Sequence, residues 1–360
     1  MSRGGPDDAT PGKRRAPDSP APGKRCGPDS RAPGKRRGPD SPAQGKRRGP
    51  DGGVVVSGMR RRWAAPLGSL AGVVVLAGVP FYGGPSWERP LIDLLTLATL
   101  ASLWNLLAGY TGLASFGQQA YLGVGAYTLY LTAAQGLDPM AAIPLSALAA
   151  GLVALPVSFP LLRLTGGHFA IGSWVLAEVF RLAATQQGGN TGVSLPGAAL
   201  HEPLLRQALT YWWALGVAVC CTGGILLLVR GRFGLTLRAV AGDPVAAAAC
   251  GVHVARTRRV AYWLAAVGTG AVGAVLFADT LYVQPASIFN VQYSVSMMFM
   301  VLIGGIGTVS GPLLGALVFF ALQQALSGYG PWYLVLLGVM AVTMTMFAPN
   351  GLRGWWSRTP

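Results

Sequence analysis

From Trp63 onward the chain alternates long apolar blocks with short breaks of Gly, Pro, Arg or Asp. A helix needs about 20 mostly apolar residues to cross the hydrocarbon core of a bilayer, because backbone groups there must satisfy one another. The clearest blocks are Trp63 to Tyr82, Leu91 to Tyr110, Tyr121 to Ala134, Ala141 to Leu162, Phe169 to Thr185, Tyr211 to Val229 and Val260 to Leu281. Three shorter ones follow at Val295 to Ile306, Pro312 to Leu326 and Trp332 to Phe347. The Tyr121 block is short and is expected to begin nearer Leu113. The two blocks flanking Gly307 to Gly311 read either as separate spans or as a broken, re-entrant pair. The expected fold is all-α, a polytopic transmembrane bundle of eight to ten spans.

The longest interruption, Gly231 to Arg259, carries its own helix signals. Asp243 can cap a helix, Pro244 suits the first turn and Gly251 can close it, which predicts a short helix from Pro244 to Cys250. Its content, Val245, Ala246, Ala247, Ala248, Ala249 and Cys250, is small and apolar throughout. On a loop facing water such a helix needs cover, either from a docking partner or from the protein's own underside.

Composition agrees with the pattern: 52% of the 360 residues are apolar and 11% charged. The formal charge of +15 suggests a nucleic-acid binder only if it is spread over a folded surface. Instead, residues 1–62 hold 16 of the 28 basic and 6 of the 13 acidic residues, and every Lys, so the remainder is nearly chargeless. Within this tail a unit close to P-G-K-R-R-G-P-D-S-P-A recurs, with Gly12, Gly23, Gly34 and Gly45 spaced eleven apart. It offers almost nothing apolar to bury, so residues 1–58 are expected to be disordered. Met59, followed by Arg60, Arg61 and Arg62 and an apolar run, resembles the natural start of a membrane protein, which makes an early start codon one account of the tail.

With ten spans and a cytoplasmic start, the loops holding Arg163, the Arg230 to Arg259 cluster and the tail with Arg353 and Arg358 all fall inside, leaving Arg89, Arg181 and Arg206 outside. This asymmetry follows the positive-inside rule and places both termini in the cytoplasm. The expected division is a tail (1–58), a permease-like membrane domain (59–353) with a cytoplasmic loop at 231–259, and a short cytoplasmic end (354–360).

Catalytic patterns are missing. Each Gly-Lys pair lies in the tail and precedes Arg, where a phosphate-binding loop needs Ser or Thr, and His201-Glu202 runs into Pro203 rather than forming a zinc motif. Cys26, Cys220, Cys221 and Cys250 have no metal or disulfide spacing and read as buried thiols. Polar residues inside apolar blocks are costly and thus candidates for a substrate path: Asn105, Gln118, Gln119 and Glu178. Glu178 and Arg181 stand three apart on one predicted helix and can pair, a structural ion pair being the simpler reading. Gly307, Gly311 and Gly315 repeat every four residues, which permits close helix approach or marks a turn at Pro312.

Five stretches carry a resemblance. They are W-N-L-L-A-G-Y-T-G-L-A-S-F-G-Q-Q-A-Y-L-G-V-G-A-Y-T from Trp104, L-R-L-T-G-G-H-F-A-I ending at Ile171, A-E-V-F-R-L from Ala177, R-F-G-L-T-L-R-A-V from Arg232, and V-L-I-G-G-I-G-T-V-S-G-P-L-L-G-A from Val301. With F-A-P-N-G-L from Phe347 they span residues 90 to 353, and in this order they resemble the branched-chain amino acid permease family of ATP-binding cassette importers. The resemblance implies a transport subunit that is not itself an enzyme and binds no cofactor. ATP and Mg are then used by two cytoplasmic ATP-binding cassette subunits, an extracytoplasmic solute-binding protein delivers the ligand, and a homologous permease subunit pairs with this chain in the bilayer, a heterodimer being favoured over a homodimer. It implies no nucleic-acid partner, and a place in the bacterial cell membrane. It also marks Arg238, Asp243, Ala246, Ala247 and Gly251 as positions matching the ATPase-coupling segment. Two departures stand out: Ala248 where the family usually has an acid, and His168 where it usually has Tyr.

The substrate class so implied is a branched-chain amino acid or a related small polar metabolite such as a short amide or urea. An ion-coupled secondary transporter is the main competing reading, opposed by the scarcity of intramembrane carboxylates. A membrane-anchored protein working through its basic tail on nucleic acid or anionic lipid is the other.

Overall fold

A computed structural model describes residues 75–78, 80, 85–189, 191–326, 328 and 332–347. The basic tail, most of the Trp63 to Tyr82 block, the F-A-P-N-G-L motif beyond Phe347 and the C-terminal end lie outside the described residues.

The described chain is an all-α membrane helix bundle. Its helices are α1 (Pro85–Thr111), α2 (Gln119–Ala134), α3 (Pro139–Leu161), α4 (Gly167–Gly188), α5 (Pro203–Arg230), α6 (Arg232–Gly242), α7 (Pro244–Ala249), α8 (Val254–Thr280), α9 (Pro285–Ile288), α10 (Gln292–Gly304), α11 (Gly311–Ala325) and α12 (Trp332–Phe347). A two-residue antiparallel pair, β1 (Val193–Ser194) with β2 (Tyr282–Val283), ties the loop after α4 to the end of α8. Among the described residues, five stretches are long and apolar enough to cross a membrane: Trp87–Thr111, Pro139–Leu161, Pro203–Arg230, Val254–Thr280 and Pro285–Gly304. The shorter apolar α11 adds to them.

The centre of the bundle is α8, packed on α2, α3 and α1. Small residues let these helices interlock backbone to backbone. A Cβ on Gly125 of α2 would lie 2.0 Å from the Gly270 carbonyl oxygen of α8, and one on Gly273 would lie 2.0 Å from that of Leu122. Further along the same face, the Tyr121 and Tyr262 hydroxyls share a buried 2.8 Å hydrogen bond.

The two ends of the bundle differ in charge. The Arg259 guanidinium stacks 4.1 Å over the Phe159 ring, so the last turn of α3 adjoins the first turns of α8, and the α6–α7 loop lies at this same end. Arg163, Arg230, Arg232, Arg238, Arg256, Arg258 and Arg259 all follow or flank these helix ends. At the opposite end, Asp138, which caps α3, lies 3.6 Å from His201, near β1 and the start of α5.

Two breaks correct or resolve sequence expectations. The Tyr121 helix does not reach back to Leu113: α1 stops at Thr111, Gly112 turns the chain at φ +71°, and α2 starts only at Gln119. The cause is a set of hydrogen bonds that hold residues 112–118 out of helix. Trp104 Nε1 donates to the Ser115 carbonyl (2.8 Å), the Phe116 amide donates to Ser173 Oγ of α4 (3.0 Å), and the Leu113 amide donates to the Leu107 carbonyl (3.1 Å). Near Gly307 the chain also breaks, and both glycine readings apply. Residues 305–310 form a turn, while Gly304, Gly311 and Gly315 bring α10 and α11 into backbone contact.

Candidate functional site

The loop at the arginine-rich end is built as the sequence implies. The Asp243 side chain accepts hydrogen bonds from the Val245 (2.8 Å) and Ala246 (3.1 Å) amides, capping α7, and Pro244 fills its first position. At its other end Gly251 adopts φ +84°, its amide donating to Ala248 O while the Val252 amide donates to Ala247 O, both at 3.0 Å. This paired closure satisfies the last carbonyls of a six-residue helix too short to hold itself.

The five positions that the resemblance matches to a coupling segment divide by environment. Ala247 is buried where α7 rests on α6 and α8, so it anchors the helix to its own protein. Asp243, Ala246, Gly251 and Arg238 are exposed. So are Ala248, Ala249, Cys250 and Val245, the last at 78%. Thus α7 does lean on the protein's underside, through one residue, and presents the rest of its apolar surface outward. Beneath it, α6 turns Leu237 and Val240 inward, and Gly234 sits where a Cβ would lie 2.0 Å from the Val229 carbonyl oxygen, fixing the angle at which the loop leaves α5.

The four path candidates are not brought together. Asn105, 1% exposed, spends its amide on the α10–α11 turn: Nδ2 donates to the Thr308 carbonyl and Oδ1 accepts from the Gly307 amide, both at 2.8 Å. Gln119 bridges the broken segment to α10, its Nε2 donating to the Phe116 carbonyl (2.9 Å) and its Oε1 accepting from the Ser294 hydroxyl. Gln118 is buried as well, yet neither atom of its amide has a hydrogen-bond partner among the described residues. Glu178 lies apart on the outward face of α4, held by Arg181, whose Nε donates to both carboxylate oxygens at 2.9 Å and whose Nη2 reaches Oε1 at 2.5 Å.

Ser173, Ser294 and Thr308 were missed by sequence reasoning. Ser173 and Ser294 act through small hydroxyls and Thr308 through its backbone carbonyl, and the partner lies 57, 175 or 203 positions away in the chain, so no local signal exists. Among the described residues no cluster of His, Cys, Asp or Glu is placed to hold a metal ion.

A family sequence model described as a branched-chain amino acid transport system permease component matches residues 88–346. The chain belongs to that family. Two curated relatives are the high-affinity branched-chain amino acid transport system permease proteins LivM of Escherichia coli (strain K12) and Salmonella typhimurium (strain LT2), 24% and 25% identical over 299 residues. Each match covers 74% of this chain and 70% of the relative. No solved structure matches. As a permease family member the protein is a multi-pass transport subunit. The stretch Trp104 to Thr128 contains the break between α1 and α2 together with Trp104 and Gln119, two of the residues that stabilise it, so in this permease that stretch shapes backbone.

Proposed function

We propose that this chain is the membrane-spanning subunit of an ATP-driven importer in the bacterial inner membrane, passing a branched-chain amino acid or a related small polar metabolite, such as a short amide or urea, handed over by a solute-binding protein outside. The observation that carries the reading is α7: a helix capped at both ends, anchored by Ala247, that offers Val245, Ala246 and Ala248 to the surrounding solution. An apolar knob held this rigidly at the arginine-rich end fits a cleft in a cytoplasmic ATPase subunit. Two such ATPases, using ATP and Mg, then rock the bundle through α6 and α7, while a second, homologous permease subunit completes the path. The arginine-rich end is taken as cytoplasmic, as the positive-inside rule requires.

The test is co-expression with candidate ATPases, followed by co-purification and ATP-dependent leucine uptake. Val245→Asp is the informative variant, because Ala247 supports the protein's own fold. Retained folding with lost ATPase association supports the reading. Uptake into liposomes by the purified chain alone, fuelled by an ion gradient, overturns it in favour of a secondary transporter.

A further inference from the structure

Helix α4 has two unlike faces. One stripe, Phe169, Ser173, Ala177 and Ala184, is buried against the bundle, chiefly α2. The other, with Ile171, Trp174, Val175, Val179 and Leu182, is exposed, and the Glu178–Arg181 ion pair sits in its middle.

The height of that pair matters. Helix α4 is less apolar than the five spanning stretches, but it returns from the end of α3 to the β1–β2 end, where the N-cap of α3 lies, and so runs the full depth of that membrane-crossing helix. Glu178 is eleven residues from Gly167 and ten from Gly188. At about 1.5 Å per residue this is about 16 Å from either end, near the centre of a hydrocarbon layer about 30 Å thick. Charged groups at that depth face protein or water-filled space, since lipid tails solvate neither ion. The bundle's own helices occupy the opposite face.

We propose that the outward stripe of α4 lines the translocation path, and that the Glu178–Arg181 pair is the point at which a zwitterionic amino acid head exchanges partners on its way through. This rests on the permease reading and assigns the residues that meet the substrate. The pair is neutral as a unit and partly exposed, with side-chain accessibilities of 48% for Glu178 and 28% for Arg181. A zwitterion carries the same two charges. Its ammonium group can take the place of the guanidinium at Glu178 while its carboxylate takes that of Glu178 at Arg181, so no net charge is left bare at any stage. Trp174, Val175 and Val179 supply apolar wall for an aliphatic side chain without enclosing it, as passage requires.

The experiment is cysteine accessibility in membrane vesicles from cells expressing the chain with its partner subunits, the four native cysteines replaced by serine. Val175→Cys and Val179→Cys are compared with Leu152→Cys, an exposed apolar position on α3 turned away from the bundle. A membrane-impermeant thiol reagent is expected to label the two α4 positions at least tenfold faster than Leu152→Cys. Millimolar leucine should slow that labelling at least threefold, and Glu178→Gln should abolish the slowing while basal labelling persists. Labelling as slow as at Leu152→Cys overturns the proposal, since the face then lies in lipid or sealed against another subunit. Fast labelling indifferent to leucine overturns it too. ATPase association, measured on the same vesicles, separates failure of this inference from failure of the permease reading.

Discussion

Two runs of small apolar residues have opposite fates in this permease. Gly268 to Ala274 in α8, in which Thr269 alone is polar, is buried throughout, with backbones of α2 and α3 pressed against it. Val245 to Ala249 in α7 is much alike in composition, yet only Ala247 is buried. In the first run smallness permits contact within one chain; in the second it makes a low-relief surface with none of the described residues covering it. Small residues thus mean packing where the neighbours are helices and an offered surface where the neighbour is water, and composition alone does not separate the cases.

The largest expected effect lies in the α8 run. Gly273→Val puts a Cβ 2.0 Å from the Leu122 carbonyl, a backbone atom unable to yield, so a loss above about 4 kcal/mol is expected, read as absence of folded protein by size-exclusion profile. Normal folding of this variant would show that the α2–α8 interlock is not what holds the bundle. Next, Val245→Asp should leave the elution profile unchanged and lower ATPase co-purification about tenfold or more, because a carboxylate loses its water on docking. If association persists, the exposed run is not the docking surface.

Asn105→Ala removes both hydrogen bonds to the α10–α11 turn and leaves the Gly307 amide unpaired, for an expected cost of about 2 kcal/mol in thermal stability. Asp243→Ala removes the α7 cap at about 1 kcal/mol and should loosen ATPase binding without abolishing it. The smallest effect marks the far side of the comparison. Gly216→Ala in α5, where a Cβ meets nothing within 4 Å, should be neutral or stabilising by up to about 1 kcal/mol, confirming that a glycine there packs against nothing.

Much of this was legible in the chain. Apolar blocks set the helices, and the Asp243, Pro244 and Gly251 signals located α7 to within a residue, because caps and turns are local chemistry. The α1–α2 break was not legible: Gly112 hinted at it, but Trp104, reaching forward from α1, and Ser173, from α4, enforce it. The path candidates fared alike. Asn105, Gln118 and Gln119 look equivalent as polar residues in apolar surroundings, yet two are clamps and one is a buried amide without a partner among the described residues.

The sequence alone determined that this protein lives in a bilayer, which stretches are helical and where its charge collects, since each depends on a residue and its near neighbours. Tertiary structure decided which polar groups are spent as cross-links, which glycines touch backbone, and which face of α4 is left bare around Glu178 and Arg181. Those outcomes depend on what lies across a helix interface, and the residue that answers is often more than a hundred positions away.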